Sequence, residues 1–217
     1  MALIEGDRLP TLTGARGHLR GLVAGDVSAL HDVFSNAEVM RYWSRPPFTS
    51  AGHEEARALL ASTERAFTSQ TLFQWGIARR SDDGVVGTCT LAHVDASNRR
   101  AELGYALGRE HWGQGLMGEA LAILISFAFG DLGLRRLEAD VDPRNAPSIR
   151  TLERLGFQRE GLLRERWEVG GEVQDSALFG LLRGDWAVRT RSSGCEPDSG
   201  PGVSRGLERS RSGPRRS

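Results

Sequence analysis

Lysine is absent from this sequence of 217 residues, in which all 28 basic residues are arginine. Without lysine, the chain has neither the phosphate-binding lysine of a P-loop nor a lysine that could form a Schiff base with a carbonyl substrate. The absence therefore excludes P-loop chemistry and lysine-adduct chemistry at the outset.

Cysteine and long apolar runs are also scarce. Cys89 and Cys195 are the only two cysteines and stand far apart, so they give neither a disulfide framework nor a zinc site. The five histidines are scattered without the spacing of metal ligands. No apolar run reaches the ~18 residues of a membrane span, and no signal sequence is apparent. We expect a soluble cytoplasmic protein without metal or membrane contact.

The charge is unevenly distributed, although the chain is neutral overall. Residues 187–217 hold seven arginines and three acidic residues, a net charge of +4, which leaves −4 on residues 1–186. This final segment is rich in Ser, Gly, Pro and Arg, which is typical of a disordered tail, although its arginines could contact an acidic partner. The net negative charge of residues 1–186 argues against a nucleic-acid partner.

Hydrophobic periodicity and turn residues predict mixed secondary structure in the order β-α-α-β-β-β-α-β-α-β-β. Strands are predicted at 19–26, 73–80, 85–95, 100–108, 135–142, 162–169 and 172–182, and helices at 27–36, 54–67, 116–133 and 146–157. Asp26 is expected to cap the first helix. Helix 116–133 is apolar on all sides and should be buried against a sheet. Cys89 is expected in the core.

The stretch "HWGQGLMGEA" (111–120) matches the dinucleotide pattern G-x-G-x-x-G through Gly113, Gly115 and Gly118. Glu138, 20 residues beyond Gly118, even stands where a ribose-binding acid is expected. The predicted topology excludes an NAD site, because several hairpin-linked strands precede the glycines and the chain finishes in a hairpin. The stretch is either an anion site at a helix N-terminus or a plain helix entry.

Four ordered segments carry a resemblance: "VMRYWSRPPF", "AELGYAL", "WGQGLMGEAL" and "RNAPSIRTLERLGF". Together they resemble the GNAT N-acetyltransferases, and more narrowly the RimJ/RimL-type ribosomal-protein N-terminal acetyltransferases. Gly115 matches the family's phosphate-loop pattern Q/R-x-x-G-x-G/A, whereas Trp112 replaces Gln/Arg and Met117 replaces the final Gly/Ala.

The resemblance covers residues 8–186 and implies one α/β (α+β) domain, with 187–217 as the tail. The implied fold is a mixed, twisted sheet of about six to seven strands, flanked by about four helices. The sheet would be splayed between its fourth and fifth strands, 101–107 and 135–141. The protein could be a monomer or a homodimer.

The resemblance implies acetyl-CoA as co-substrate, held by three groups of residues. The expected contacts are Trp112, Gly113, Gln114, Gly115, Leu116, Met117 and Gly118 for the pyrophosphate, Tyr105, Ala106 and Leu107 for the pantetheine arm, and Asn145 for its other side. Asn145 could also cap the helix that follows it.

Amine acetylation needs a proton acceptor for the amine and a proton for the leaving thiolate. Glu102 is the candidate base, since strand alternation places it with Gly104 and Ala106 on a face open to a ligand; it could also be an ordinary strand-edge charge. In many GNAT enzymes a tyrosine seven residues after the asparagine that corresponds to Asn145 protonates the leaving thiolate. In this sequence that position is Leu152. Ser148 is the candidate substitute, with a local capping role as the alternative.

Tyr42, Trp43 and Phe48 are expected to form one wall of the acceptor site, because the family places this segment beside the amine. They could instead form a hydrophobic cluster under a loop. Trp167 is the candidate for the opposite wall. The expected acceptor is a protein N-terminal amine, with a polyamine or an aminoglycoside as the alternative. A catalytically silent CoA-binding module is the rival from another functional class.

Overall fold

The computed structural model describes residues 3–49 and 53–192. These residues form one sheet of eight strands in the order β1-β2-β3-β4-β5-β6-β8-β7. The strands are β1 Leu12–Thr13, β2 Gly17–Gly21, β3 Phe73–Arg79, β4 Val85–Asp95, β5 Arg100–Leu107, β6 Arg136–Val141, β7 Gln158–Val169 and β8 Glu172–Leu182. All neighbours are antiparallel except β5 and β6, which are parallel.

Six α-helices lie within the described residues, together with short 3-10 turns at Ala24–Asp26 and Arg109–His111. The helices are α1 Val27–Ser35, α2 Ala37–Met40, α3 His53–Thr68, α4 Leu116–Gly130, α5 Ala146–Leu155 and α6 Arg183–Ser192. No helix in the described ranges is both long enough and apolar enough to cross a lipid bilayer.

The sheet has a core on each face. The larger core packs α4 and α5 against the sheet and includes Leu121 and Leu152, both fully buried. The smaller core joins α1, α2 and α3 through residues such as Leu30 and Phe34, and it includes Ala106 of β5. The predicted burial of the apolar helix α4 is therefore confirmed. The predicted burial of Cys89 is confirmed too, and burial raises the pKa of its thiol.

Strands β5 and β6 separate soon after they begin. They pair only between 100–102 and 136–138, and beyond that point β5 continues to Leu107 and β6 to Val141 without pairing to each other. The predicted splay is confirmed. The predicted fourth and fifth strands are β5 and β6 in the structure, because the short strand β1 was not predicted.

The N-terminal prediction needs correction. The first long strand ends at Gly21, not at residue 26, because residues 24–26 form a 3-10 turn. Asp26 precedes α1, but its side chain makes no capping hydrogen bond there. The carboxylate instead accepts from the Val23 amide at 2.8 Å and forms two hydrogen bonds with Arg20 at 2.8 and 2.9 Å. An ion pair with Arg20 thus replaces the expected helix cap.

The C-terminal part departs from the prediction in one respect. Helix α6 runs from Arg183 to Ser192 and so crosses the predicted boundary between residues 186 and 187. Together with the four-residue helix α2, it raises the helix count from the predicted four to six. The rest of the predicted tail, including Cys195, lies outside the described residues.

Candidate active site

A cleft of about 470 Å³ opens where β5 and β6 separate. Its walls come from β5, β6, the start of α5, the α2 segment and the β7–β8 hairpin. The predicted site residues that line it are Tyr42, Trp43, Glu102, Tyr105, Ala106, Leu107, Trp112, Gly113, Met117, Asn145, Ser148 and Trp167. The splay thus brings together residues that the sequence spreads over more than 120 positions.

Strand β5 presents different chemistry on its two faces. Leu103 and Leu107 belong to the core beneath α4, whereas Ala106 belongs to the core beneath α1. Because side chains alternate along a strand, Tyr105 shares the α4 face and Glu102 the α1 face. Glu102 and Tyr105 therefore reach the cleft from opposite faces of one strand.

Glu102 is a partly exposed carboxylate with little charge compensation. Burial raises its pKa, and the nearby carboxylates of Asp140 and Glu138 raise it further. His93, with its Nε2 4.0 Å from the Glu102 Oε2, opposes this shift, and Arg166 opposes it to a smaller extent. A carboxylate with a raised pKa, open to a cleft, is suited to accept a proton from a bound amine.

Asp140, which the sequence analysis missed, is a second cleft carboxylate on the same sheet face. Burial raises its pKa against the opposing effects of Arg166, 4.0 Å away, and of a hydrogen bond from Trp167. It could have been found from the sequence, because Glu138, Asp140 and Asp142 alternate along one strand. Glu138 and Asp142 are closely paired with arginines, which distinguishes Asp140 from both.

Ser148 lies at the start of α5, where Asn145 caps the helix by accepting from the Ser148 amide at 3.2 Å. The predicted capping role of Asn145 is therefore confirmed. The Ser148 hydroxyl faces Tyr105, with 2.6 Å between the two oxygens. Leu152, where the resemblance implies a tyrosine in many GNAT enzymes, is fully buried.

The glycine segment has the shape of an anion cradle. Gly113 and Gly115 have φ values of 74° and 75°, the left-handed region that glycine favours. Gly115 begins α4 without a side-chain cap, which leaves the first amides of the helix available. A methyl group at Gly113 or Gly118 would meet no heavy atom within 4 Å, so both face open space. A helix start with free amides and this much open space is suited to an anionic group.

The other residues of this segment have different surroundings. Trp112, which departs from the family pattern, donates its indole N–H to the Leu107 carbonyl at 2.7 Å and so ties the segment to the end of β5. Leu116 packs against the larger core, and the Gln114 side chain donates to the Glu110 carbonyl at 2.9 Å. Gln114, Gly115, Leu116 and Gly118 lie outside the cleft lining.

Phe48 is not a wall of the cleft, which corrects the prediction. Its ring is 8% exposed and packs in the smaller core, with its centroid 5.6 Å from that of Phe34 and 4.7 Å from the Arg45 guanidinium carbon. The alternative of a hydrophobic cluster therefore holds for Phe48. Tyr42 and Trp43 do line the cleft, and Trp167 lines it from the hairpin.

Gln174 is a further cleft residue that the sequence analysis missed. It pairs with Trp167 across the hairpin, and it lies on the sheet face of Glu102 and Asp140. The residue is 6% exposed, and its side-chain amide makes no hydrogen bond to another described residue but remains accessible from the cleft. No sequence signal pointed to it, because glutamine is common at strand surfaces.

Known proteins resemble this chain in sequence and in fold. The family model "Acetyltransferase (GNAT) domain" matches residues 16–158. An uncharacterized N-acetyltransferase of Bacillus licheniformis, p20, is 37% identical over 179 residues, which covers 82% of this chain and 99% of p20. Spermidine N(1)-acetyltransferase of Escherichia coli K12 is 25% identical over 179 residues, covering 81% of this chain and 91% of that protein. The "Putative ribosomal N-acetyltransferase YdaF" of Bacillus subtilis is 34% identical over 105 residues, which covers 48% of this chain and 57% of YdaF.

Solved structures share the fold. A GCN5-related N-acetyltransferase from Brucella melitensis superimposes with a TM-score of 0.74 at 23% identity, covering 84% of this chain and 83% of that one. RimJ of Mycobacterium smegmatis, in complex with CoA-disulfide, gives a TM-score of 0.73 at 24% identity, with 85% and 95% covered. The chain belongs to the GNAT acetyltransferase family. It is an acetyl-CoA-dependent N-acetyltransferase, which removes the NAD enzyme and the silent CoA module from consideration.

Proposed function

We propose that this enzyme acetylates the primary amine at a peptide N-terminus. The observation that carries the choice of acceptor is the Gln174 amide, which has no partner among the described residues and lines the cleft beside Trp167 and on the sheet face of Glu102. The amide is not fully buried, so it is accessible from the cleft and available to a ligand. Its C=O accepts and its NH2 donates, which complements the N–H and C=O of a peptide group.

Two carboxylates would receive the amine. An amine arrives at neutral pH mostly as an ammonium, which Glu102 and Asp140 would attract. Glu102 takes one proton from the ammonium and makes the nitrogen a nucleophile. As the N–C bond forms and the C–S bond breaks, the nitrogen loses a second proton, which balances the one that the sulfur gains. Glu102 then returns its proton to solvent.

Acetyl-CoA supplies the acetyl thioester to this cleft. The amides between Gly113 and Gly118 would hold its pyrophosphate, with Trp112 fixing the segment to β5. The unpaired edge of β5 at Tyr105, Ala106 and Leu107 would bind the pantetheine arm through its backbone, opposite Asn145. Ser148 would donate a hydrogen bond to the departing sulfur. The acetyl group would pass directly from sulfur to nitrogen, because the thioester and the amine would enter the cleft from opposite faces of β5.

A polyamine is the second candidate acceptor. Glu102 and Asp140 together offer two carboxylates to a polycation, and the relatives include spermidine N(1)-acetyltransferases. An aliphatic polyamine has no carbonyl for the Gln174 amide, so this acceptor would leave half of that group unsatisfied. The Gln174 amide therefore favours a peptide over a polyamine as the acceptor.

The test measures thiol release from acetyl-CoA with three acceptor pools: peptides that begin with Ala, Ser or Met, polyamines, and aminoglycosides. The expected result is release with the peptide pool, lowered on the order of 10²-fold by Glu102→Gln. Release with polyamines alone would select the second candidate. Saturable acetyl-CoA binding in calorimetry with no release from any pool would contradict both acceptors, and absence of binding would contradict the role of the glycine segment.

A further inference from the structure

The hydroxyl groups of Tyr105 and Ser148 form a half-buried pair at the cleft. Tyr105 extends from β5 and Ser148 from the first turn of α5, with 2.6 Å between the two oxygens. Both residues line the cleft. The pair lies on the α4 face of β5, opposite Glu102, where the thioester is proposed to bind.

Either oxygen can donate in this contact, and the distances favour donation by Tyr105. The phenol oxygen is also 3.4 Å from the Ser148 carbonyl, which is longer than an ordinary O–H···O hydrogen bond. The single phenol proton is therefore best used in the 2.6 Å contact with the Ser148 Oγ. In that arrangement Ser148 accepts from Tyr105, and its own proton is left to point elsewhere.

The Ser148 hydroxyl is also not used within its helix. Serine and threonine in helices commonly donate to a carbonyl three or four residues earlier. Thr151, on the next turn of α5, does so to the Pro147 carbonyl at 2.9 Å, and Ser126 of α4 does so to the Ala122 carbonyl at 2.9 Å. The Ser148 hydroxyl makes no such bond within the described residues and contacts Tyr105 instead.

We infer that Tyr105 is a positioning residue for Ser148: its phenol donates to the Ser148 Oγ and so directs the serine proton into the cleft, toward the sulfur that leaves CoA. The inference rests on the proposed role of Ser148. Tyr105 keeps its own proton throughout, and the proton that ends on the sulfur is balanced by the second proton lost from the amine. The pair takes the place of the phenol that is missing at Leu152.

The state of the phenol agrees with this role. Burial raises the pKa of Tyr105 to about 12, against a smaller opposing effect of the Ser148 hydrogen bond. Tyr105 therefore stays protonated, and stays a donor, over the pH range in which a thiol titrates, near pH 8.5.

Binding of CoA tests the inference without any amine acceptor. A hydroxyl pair that donates to sulfur favours the thiolate, so CoA should bind more tightly as pH rises, whereas acetyl-CoA has no thiol to titrate. Calorimetry at pH 7 and pH 9.5 would give the affinity of CoA relative to acetyl-CoA for the wild type, Tyr105→Phe, Ser148→Ala and the double variant. Thermal unfolding would check that each variant is folded.

In the wild type we expect the relative affinity for CoA to rise by about fivefold to tenfold from pH 7 to pH 9.5, the effect of a hydrogen bond to a charged group. Ser148→Ala should remove the rise, Tyr105→Phe should reduce it by about threefold, and the double variant should match Ser148→Ala alone. An unchanged Tyr105→Phe variant, losses that add in the double variant, or an unchanged Ser148→Ala variant would overturn the inference. Because no amine is used, failure of the proposed acceptor reaction would leave this result standing.

Discussion

The Nε2 atom of His93 lies 4.0 Å from the Oε2 atom of Glu102. His93 is well exposed, and it faces a carboxylate whose pKa is raised by burial and by the neighbouring Asp140 and Glu138. When protonated, the imidazole favours the ionised form of Glu102, while Asp140 favours the neutral form. These two neighbours therefore shift the pKa of the proposed base in opposite directions.

The first prediction concerns pH dependence. If Glu102 is the base, kcat/KM falls on the acid side as Glu102 is protonated, with a midpoint above the ordinary range of a glutamate. His93→Gln removes a positive neighbour, so the acid limb should move to higher pH. Asp140→Asn removes a negative neighbour and should move the limb to lower pH. The pH–rate profiles at low salt measure both shifts.

Salt provides the control for these shifts. His93 is exposed, so its effect on the profile should shrink at 0.5 M NaCl, whereas the effect of the more buried Asp140 should persist in larger part. Shifts of the same sign in the two variants would contradict the assignment of Glu102 as the titrating base.

The second prediction separates proton transfer from amine binding. Glu102→Gln should lower kcat on the order of 10²-fold, because the proton acceptor is lost, while the Kd for acetyl-CoA stays unchanged. Asp140→Asn should chiefly raise KM for the acceptor, since Asp140 would attract the ammonium without taking its proton. Steady-state kinetics and calorimetry distinguish the two. Equal losses of kcat in both variants would show that the two carboxylates do not divide the roles in this way.

The sequence was sufficient for features that depend on local periodicity. Alternation along β5 separates Glu102 from Tyr105, and the same alternation along β6 would have identified Asp140. Contacts between distant segments follow from no such pattern: the Tyr105 and Ser148 hydroxyls meet across 43 residues, and only the docking of α5 on the sheet brings them together. Phe48 illustrates the same limit, because an aromatic residue beside two prolines suits a core as well as a cleft.

The third prediction concerns the glycine segment. Arg16 Nη1 donates to the Gln114 carbonyl at 2.5 Å and lies where a methyl group on Gly115 would approach to 2.9 Å. Gly115→Ala also imposes the left-handed conformation on alanine, at about 1–2 kcal/mol. The free segment should relax away from this conformation, and because binding must restore it, the Kd for acetyl-CoA should rise at least about fivefold. Arg16→Gln, which removes the hydrogen bond but adds no strain, should produce a smaller rise.

Gly130 provides the matched control for this segment. It lies at the other end of α4, in open space, and its φ is not positive. Gly130→Ala should therefore leave the acetyl-CoA Kd unchanged in calorimetry. Equal weakening by Gly115→Ala and Gly130→Ala would indicate a general effect on α4 instead of a local phosphate site.

The fourth prediction concerns stability. Asp26 is 6% exposed and pairs with Arg20, whose side chain is 16% exposed. Asp26→Asn keeps an oxygen for the Val23 amide but leaves the Arg20 charge without its buried partner, so unfolding should become easier by about 3 kcal/mol. Urea unfolding measures the change. Asp83→Asn removes the exposed partner of the same arginine and should change the midpoint little. A larger effect at Asp83 would contradict burial as the cause.

The fifth prediction tests the acceptor through Gln174. Gln174→Leu replaces the unpartnered amide with an apolar side chain of similar length, so it should raise KM for a peptide acceptor by about fivefold or more, the effect of one lost hydrogen bond. Spermidine has no carbonyl to accept a hydrogen bond from that amide, so its KM should change little. Val173→Leu, an exposed position beside Gln174 in the same hairpin, is the matched control for the strand. A rise confined to peptides supports recognition of the first peptide group. An equal rise in KM for both acceptors would mean that Gln174 affects the shape of the cleft but does not recognise the peptide group. The peptide would then no longer be favoured over the polyamine as the acceptor.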